Sequence, residues 1–417
     1  METSAHLILK AHARSLCPVC CREIPATVRE ESDGVYLNKQ CGEHGSFRSM
    51  VERDASLYKA LMNPVPRDRK PITLVIPVTH RCNLRCKLCY YPNSQVPDPP
   101  QESIRRLIDT FPGSRIVFSG GEPSLREDLP ELIGYANSKG KNTCMATNGV
   151  SLSHRPLIER LADAGLRSCL FSMNGLSDDV FKHIEGVPLY NKKLKGLENL
   201  CRTPVTPLLS STLVPGVNES KLPELARFLL LRSNAFHVWR LRAYASIGRH
   251  EQAEPLWMSD VFRLTCDALG LDRSALLASL DTESMYHGST HFYAIMRCKV
   301  GKASDRPSSA SVDARACRME PGLSARHERK EGHDRRSEPP QGGGTFLPRV
   351  GQAVKRALER ADISHRRIRM FAWPSIYNVD LDEVSQTGVW HVGPGGEPRP
   401  FVEAIIRNNH QPDWNWT

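Results

Sequence analysis

Residues 72–90 read ITLVIPVTHRCNLRCKLCY and place an apolar run directly before three closely spaced cysteines. The run Ile72–Val78 is almost continuously apolar, which is typical of a strand that a parallel sheet buries on both faces. After residue 90, segments with helical and strand patterns alternate along the chain, as they do in βαβ units. The sequence therefore predicts an α/β fold whose first strand leads into the cysteines.

The alternating pattern predicts six parallel strands, of which Ile72–Val78 is the first. The others are predicted at Arg115–Phe118, Asn142–Ala146, Arg167–Phe171, Leu208–Val214 and Phe236–Leu241. Helices are predicted at Glu102–Thr110, Asp128–Ser138, Pro156–Ala164, Asn191–Cys201, Lys221–Leu231 and Ser259–Leu271. Six such units form a partial (β/α)6 barrel, in which the side chains that carry chemistry lie at the carboxyl ends of the strands.

A chain of 417 residues exceeds the roughly 250–300 residues at which a single core stops growing, so we expect one catalytic domain with smaller appendages. Composition predicts an N-terminal metal-knuckle domain (1–63), the partial barrel (72–250), a helical extension (251–303), a disordered linker (304–344) and a mixed C-terminal cap (345–417). The linker is rich in Ser, Pro, Gly and charge, so it buries too little apolar surface to offset the entropy of ordering. One helix, Arg349–Ala361, is predicted within the cap.

The net charge of +10 raises the question of a nucleic-acid partner. Part of the excess lies in the polar stretch Arg315–Arg336 rather than on an amphipathic face, which favours a solvated linker, and nucleic acid is not the expected partner. Met1–Ser15 has no apolar core of signal-peptide length, and no stretch approaches the roughly 20 apolar residues of a membrane span. We therefore expect a cytoplasmic protein with reduced thiols and no membrane span.

Four ligand-type residues form two close pairs near the N-terminus, Cys17-x-x-Cys20 and Cys41-x-x-His44. Tetrahedral zinc takes four nitrogen or sulfur ligands and closes sites that are too small to have a core of their own. The spacing therefore predicts a metal knuckle that holds zinc, with mononuclear iron in a rubredoxin-like site as the alternative. Cys21 is adjacent to Cys20 and is an alternative ligand.

Cys82, Cys86 and Cys89 have the spacing C-x3-C-x2-C, and three thiolates leave one iron of a [4Fe–4S] cluster open to a further ligand. This run resembles the signature of radical S-adenosylmethionine (radical SAM) enzymes. The resemblance implies that the three cysteines hold a catalytic [4Fe–4S] cluster and that S-adenosylmethionine binds the open iron through its methionine amine and carboxylate. It also implies that the predicted barrel is the partial barrel of this family.

A second resemblance lies at the end of the second predicted strand, where residues 118–123 read FSGGEP. By resemblance to the G-G-E motif of the family, Gly120, Gly121 and Glu122 are expected to contact the methionine amino group or its hydrogen-bond network. Glycine at such a position lets a backbone approach closely. The same resemblance implies further cofactor contacts from Leu88, Tyr90, Thr147, Asn148, Ser172, Asn174, Thr212 and Arg240, with Arg242 as the alternative to Arg240.

The N-terminal knuckle resembles that of a radical SAM subgroup that includes archaeal tetraether lipid synthases, and the likeness extends from residue 17 to about residue 245. This chain does not have the additional cysteines of those longer enzymes. Cys266, Cys298 and Cys317 form no close pair, so no auxiliary cluster is predicted. The expected substrate is a small molecule or a lipid.

The expected reaction is reductive cleavage of S-adenosylmethionine to a 5′-deoxyadenosyl radical, which abstracts hydrogen from the substrate in a biosynthetic or tailoring pathway. Two alternatives stay open: transfer of the 3-amino-3-carboxypropyl group, and modification of a nucleic acid. The family resemblance implies that a flavodoxin or a ferredoxin supplies the electron.

Overall fold

The computed structural model describes residues 7–61, 70–91, 96–231, 238–245, 247, 255–270, 272–274, 294–299, 365–385, 388–393 and 396–410. Within these residues the chain forms one sheet of four strands and one of ten. The predicted linker 304–344, the predicted helix Arg349–Ala361, Cys317 and the side chain of Cys298 lie outside the described part of the chain.

The N-terminal sheet is an antiparallel meander of β1 (Leu7–Leu16), β2 (Glu23–Glu31), β3 (Gly34–Cys41) and β4 (Gly45–Glu52). Leu16 pairs with Glu23, and Cys41 pairs with Gly45. Because β2 and β3 are antiparallel, the turn after Leu16 and the turn after Cys41 lie at the same end of the sheet. This topology brings the two predicted ligand pairs together.

The large sheet has the order β11-β12-β10-β9-β8-β7-β6-β5-β13-β14. Its strands are β5 (Thr73–Thr79), β6 (Arg115–Gly120), β7 (Asn142–Thr147), β8 (Ser168–Ser172), β9 (Thr206–Leu213), β10 (Val238–Ala243), β11 (Ala294–Lys299), β12 (His365–Phe371), β13 (Val389–Val392) and β14 (Pro398–Pro400). The eight strands from β12 to β13 in this order are mutually parallel, and β11 and β14 are antiparallel to their neighbours.

Helices follow the strands in the order that βαβ units require. They are α1 (Ala55–Leu61), α2 (Gln101–Thr110), α3 (Leu129–Ser138), α4 (Arg155–Asp163), α5 (Asp178–Glu185), α6 (Tyr190–Leu200), α7 (Leu222–Leu231), α8 (Met258–Leu269), α9 (Leu381–Val384) and α10 (Phe401–His410). α5 ends at Gly186, whose φ of +85° is the left-handed conformation that glycine adopts without strain. None of the helices in the described ranges is long and apolar enough to cross a membrane.

The helices cover one face of the large sheet. Ile76, Phe118 and Met145 on the strands are fully buried and share one apolar core with helix residues such as Ile104 and Leu132. The side chains between them along the strands point to the opposite face. We call this opposite side the inner face; its half-buried residues include Ala146, Leu170, Ser172, Leu208, Ser210, Arg240 and Arg242.

The strands β12 and β13 both come from the C-terminal segment, which we define as the described residues between 365 and 410. β12 pairs with β10 at one edge of the six predicted strands, and β13 pairs with β5 at the other. The C-terminal segment therefore extends the sheet at both of its edges, and it also packs on the N-terminal sheet through Leu16, Val379 and Ile406.

The predicted α/β fold class is confirmed, with the knuckle formed by an antiparallel sheet. All six predicted strands are present, and each begins within two residues of its predicted start. Sequence patterns did not indicate β1, β2, β4, α1, α5, α9 or α10, nor the strands that extend the sheet. The five predicted domain boundaries stay predictions.

Candidate active site and metal centre

The loop that carries Cys82, Cys86 and Cys89 leaves the carboxyl end of β5. Cys82 is exposed, and Cys86 and Cys89 are half-buried. The backbone N–H of Lys87 donates to the carbonyl of Ile184 at 2.9 Å, which ties the loop to α5. Burial raises the pKa of the Cys86 thiol to about 12, because a thiolate in this apolar setting is poorly solvated. Bound iron would supply the missing positive charge, so three thiol donors here fit a [4Fe–4S] cluster with one open iron.

Gly120 and Gly121 are held against the chain that leads into Cys82. The N–H of Gly121 donates to the carbonyl of Thr79, and the N–H of Glu122 donates to the carbonyl of Arg81, both at 2.8 Å. A Cβ on Gly120 would lie 2.1 Å from the Thr79 oxygen, and one on Gly121 would lie 2.2 Å from the Arg81 oxygen. The close approach that these glycines permit is therefore to the cysteine loop, whereas the sequence suggested an approach to the cofactor.

The Glu122 carboxylate is fully buried and forms a junction between the ends of β6 and β7. It accepts hydrogen bonds from the Ser124 hydroxyl at 2.6 Å, the Thr147 hydroxyl at 2.7 Å and the Asn148 N–H at 2.8 Å. Burial raises its pKa, and these hydrogen bonds act in the opposite direction. The structure thus gives Glu122 contacts within the chain, and the expected contact with the methionine amino group stays a prediction.

Asn148 links this junction to the first cluster cysteine. Its side-chain amide lies 4.0 Å from the Cys82 sulfur and donates to the Asn83 side chain at 2.7 Å. Thr147 and Asn148 therefore lie at the end of β7 beside the cysteine loop, and their expected contact with the cofactor stays a prediction.

A second hydrogen-bond network connects the ends of β8, β9 and β10. The Asn174 side chain accepts from the N–H of Thr212 at 2.9 Å, and the Thr212 hydroxyl accepts from Arg242 at 2.8 Å. The Arg242 guanidinium also stacks on the Trp373 ring at 4.1 Å and lies 5.7 Å from the Tyr90 ring. Arg240 stacks instead on Phe371 at 5.1 Å. Of the two arginines, the geometry favours Arg242 for a cofactor contact beside the cysteine loop.

Leu88 and Tyr90 flank Cys89 and contact different parts of the protein. Leu88 packs against an apolar cluster formed by Val180, Ile184 and Val214. The Tyr90 ring lies 5.2 Å from that of Trp373, a residue that sequence reasoning missed because the C-terminal segment carries no recognisable motif.

An ion pair lies buried behind the loop. Lys193 and Glu185 are 2.7 Å apart with side-chain exposures of 0% and 2%. Lys193 also donates to the backbone carbonyl of Ser172, and Glu185 accepts from the Asn174 side chain. The negative charge of Glu185 acts together with burial to raise the pKa of Cys86, and the positive charge of Lys193 acts in the opposite direction. Neither residue was singled out from the sequence.

Tyr91 and His391 form a further buried contact that the sequence did not indicate. His391 Nδ1 lies 2.6 Å from the carbonyl of Val392 and therefore carries the proton, so Nε2 accepts from the Tyr91 hydroxyl. Burial lowers the pKa of His391 to about 4, so the ring is neutral. This contact joins β13 to the chain that follows Cys89.

In the N-terminal sheet, Cys17, Cys20, Cys41 and His44 bring their ligand atoms within 4.8 Å of one another. Four nitrogen and sulfur donors at this spacing fit a closed zinc site. Cys21 has a φ of +58° and packs into the apolar cluster with Leu16 and Ile406. The structure therefore selects Cys20 over Cys21, which the sequence could not do.

The region around the cysteine loop and the N-terminal knuckle each match a known protein family. Residues 76–229 match the Radical SAM superfamily, and residues 9–53 match the HMPTM N-terminal zinc ribbon domain. The first match confirms the predicted [4Fe–4S] cluster and S-adenosylmethionine as cofactors, and the second supports zinc in the knuckle.

Curated relatives resemble parts of the chain. The 7,8-dihydro-6-hydroxymethylpterin dimethyltransferase of Methanocaldococcus jannaschii is 33% identical over 51% of this chain and 49% of its own length. The Fe-coproporphyrin III synthase of Methanosarcina barkeri is 34% identical over 35% of this chain and 38% of its own length. The chain thus spans half or less of the length of these two relatives.

Among solved structures, SuiB of Streptococcus suis bound to S-adenosylmethionine is 19% identical, with a TM-score of 0.40 over 47% of this chain and 46% of that one. The family matches, the cysteine loop and the four-ligand knuckle lead to one assignment. The chain contains a Radical SAM domain and an N-terminal zinc ribbon domain with a Cys/His metal knuckle.

Proposed function

We propose that the chain cleaves S-adenosylmethionine reductively and uses the 5′-deoxyadenosyl radical to abstract hydrogen from a small-molecule or lipid substrate. The observation that carries this proposal is the close approach of Gly120 and Gly121 to the backbone of Thr79 and Arg81. It joins the cysteine loop rigidly to the strand end that carries the G-G-E motif, and chemistry of this kind needs its two binding elements held in fixed relation.

When bound, the cluster supplies one electron and S-adenosylmethionine supplies the radical. The chain's own residues hold and orient these groups. Cys82, Cys86 and Cys89 would provide the thiolates. Arg242, held by Thr212 and Trp373, is placed to bind the methionine carboxylate, because a guanidinium matches a carboxylate in a bidentate fork. The Glu122 junction keeps Asn148 beside Cys82.

A second candidate is methyl transfer to a small heterocyclic substrate. It is favoured by the pterin dimethyltransferase relative, which is 33% identical over 51% of this chain, together with the HMPTM zinc-ribbon match at residues 9–53. Transfer of the methyl group of S-adenosylmethionine to the substrate would release S-adenosylhomocysteine, which separates this reaction from the first candidate.

The test is anaerobic reconstitution followed by mass spectrometry of the products of S-adenosylmethionine under dithionite. Wild type is compared with Cys86→Ala and with Cys201→Ala, whose cysteine is exposed and lies outside the site. We expect 5′-deoxyadenosine from wild type and from Cys201→Ala, and none from Cys86→Ala. S-adenosylhomocysteine would favour the methyltransferase, and methylthioadenosine would favour aminocarboxypropyl transfer. No product from a fully loaded cluster would contradict the proposal.

We also propose that an acidic flavodoxin or ferredoxin delivers the electron, because the net charge of +10 suits a partner of opposite charge. Reduction of the cluster by such a donor should slow as ionic strength rises. A rate that does not change with salt would count against this partner class.

A further inference from the structure

Lys39 joins the metal end of the N-terminal sheet to the C-terminal segment. The residue is buried, with 4% of its surface exposed. Its ammonium group donates to the backbone carbonyls of Leu16 and Ile376, both at 2.7 Å. Leu16 directly precedes the ligand Cys17, and Lys39 lies two residues before the ligand Cys41. One buried lysine therefore ties the backbone at the four-ligand knuckle to a residue 337 positions away in the chain.

Two further contacts hold the C-terminal segment at the same end of the sheet. The Ser15 hydroxyl accepts from Lys39 at 3.3 Å and donates to the carbonyl of Val379 at 2.6 Å. On α10, Arg407 donates at 3.2 Å to the carbonyl of Cys21, which lies in the turn that carries the first ligand pair. Bound zinc closes such a turn, because a site of this size has no core of its own. Zinc therefore fixes the backbone that the C-terminal segment contacts.

The C-terminal segment in turn contacts the guanidinium of Arg242. Trp373 lies three residues before Ile376, and its ring stacks on Arg242 at 4.1 Å. Pro374 follows Trp373 and has a fixed φ, so the short stretch between the ring and Ile376 has little conformational freedom. A shift of Ile376 would therefore move the ring away from Arg242. The hydrogen bond from Arg242 to Thr212 at 2.8 Å does not fix the orientation of the guanidinium on its own.

We propose that the zinc ribbon positions Arg242 for S-adenosylmethionine, acting through Lys39 and Trp373. This inference rests on the proposed function, in which Arg242 binds the methionine carboxylate. Lys39 and Trp373 are positioning residues, because they act on the cofactor through Arg242. With zinc bound, the C-terminal segment is already ordered, whereas without zinc the cofactor must supply the free energy of ordering it. Zinc and S-adenosylmethionine therefore each raise the affinity of the chain for the other by the same factor.

The experiment makes two measurements on the full chain with its cluster reconstituted under anaerobic conditions. The first is the dissociation constant of S-adenosylmethionine, measured by calorimetry on protein whose iron and zinc have been counted. The second is the affinity for zinc, measured by competition with a chelator in the presence and absence of saturating S-adenosylmethionine. The variants are Cys20→Ser, Lys39→Met, Trp373→Leu and the control Lys59→Met. Lys59 is 43% exposed and pairs with Glu30, near the end of β2 that is opposite the zinc ligands.

We expect Cys20→Ser, which loses the zinc, and Lys39→Met, which loses three hydrogen bonds, to bind S-adenosylmethionine about tenfold more weakly than wild type and Lys59→Met do. Saturation with S-adenosylmethionine should raise the zinc affinity of wild type by about the same factor. In Trp373→Leu the zinc affinity should not respond to S-adenosylmethionine. The wild-type zinc measurement needs no substitution, so it tests the proposal even if Lys39→Met does not fold.

The proposal is overturned if S-adenosylmethionine leaves the zinc affinity of wild type unchanged, or if zinc-free Cys20→Ser binds S-adenosylmethionine as tightly as wild type. It is also overturned if Trp373→Leu keeps the full response, because the effect then does not pass through Arg242. Wild type that holds a full cluster and binds no S-adenosylmethionine would contradict the proposed function itself, and this inference would fall with it.

Discussion

Trp373 and Phe401 pack against each other with ring centroids 5.4 Å apart, although they follow strands near opposite edges of the large sheet. Trp373 comes after β12, and Phe401 comes after β14, which pairs with β13. Tyr90 lies 5.2 Å from Trp373 and 6.5 Å from Phe401. The two edges of the sheet are therefore bridged by aromatic rings beside the cysteine loop.

Replacing Trp373 by alanine should open this bridge and expose the cluster to oxygen. We expect the visible absorbance of the reconstituted cluster to bleach several-fold faster in air than in wild type. The control is Tyr377→Ala, which removes an aromatic side chain that is 55% exposed in the same segment. Equal bleaching rates in both variants would show that the bridge does not protect the cluster.

Cys20→Ser and Cys21→Ser should have opposite effects on zinc. Cys20 belongs to the four-ligand set, so we expect its serine variant to lose the metal from the purified protein. Cys21→Ser should keep one zinc per chain and lose about 1–2 kcal/mol of unfolding free energy, because it buries a hydroxyl among apolar side chains. Elemental analysis by mass spectrometry measures the zinc, and loss of zinc from Cys21→Ser alone would contradict the assignment.

Lys193→Met should leave the carboxylate of Glu185 buried without its counter-charge. Removing one partner of a buried ion pair costs about 3–5 kcal/mol, so we expect a clearly lower unfolding midpoint by circular dichroism. The double variant Lys193→Met with Glu185→Gln should recover much of this loss, because the uncompensated charge is gone. Lys195→Met, which changes an exposed residue on the same helix, is the control. If both single lysine variants unfold alike, the buried pair does not contribute.

His391 should make stability depend on pH. Its pKa is lowered by burial from 6.5 to about 4, so the unfolded chain takes up a proton between these values and the folded chain does not. Stability is therefore lost as pH falls from about 6.5 towards 4, and this one group accounts for about 3 kcal/mol of that loss.

His391→Asn should flatten the dependence in this pH window, measured as the unfolding midpoint against pH. Tyr91→Phe keeps His391 and its burial, so it should keep the wild-type slope. An unchanged slope in His391→Asn would assign the pH dependence to other groups.

Local sequence was sufficient to predict those parts of the site whose residues lie within a few positions of one another in the chain. The spacing of Cys82, Cys86 and Cys89 and the position of Gly120–Glu122 after a strand are local patterns, and the structure places them side by side. The knuckle was predictable for the same reason. The choice between Cys20 and Cys21 was not, because backbone conformation decides which of two adjacent side chains turns towards the metal.

Contacts between distant parts of the chain could not be predicted. β12 and β13 are short strands more than a hundred residues from the strands they join, and no local pattern specifies a pairing partner at that distance. Trp373 and His391 reach the cysteine loop only through those pairings. Likewise, Lys193 resembles any surface lysine of an amphipathic helix until Glu185 is known to lie beside it.

The position of the C-terminal segment also sets an order of events during synthesis. The ribosome completes β5 to β10, with all three cluster cysteines, well before it produces residues 365–410, and domains begin to fold as they emerge. Until that segment arrives, Tyr90 has neither Trp373 nor Phe401 against it, and the cysteine loop is open on that side. A nascent chain at this stage offers iron–sulfur assembly proteins wider access to the cysteine loop than the finished fold, in which Cys86 and Cys89 are half-buried.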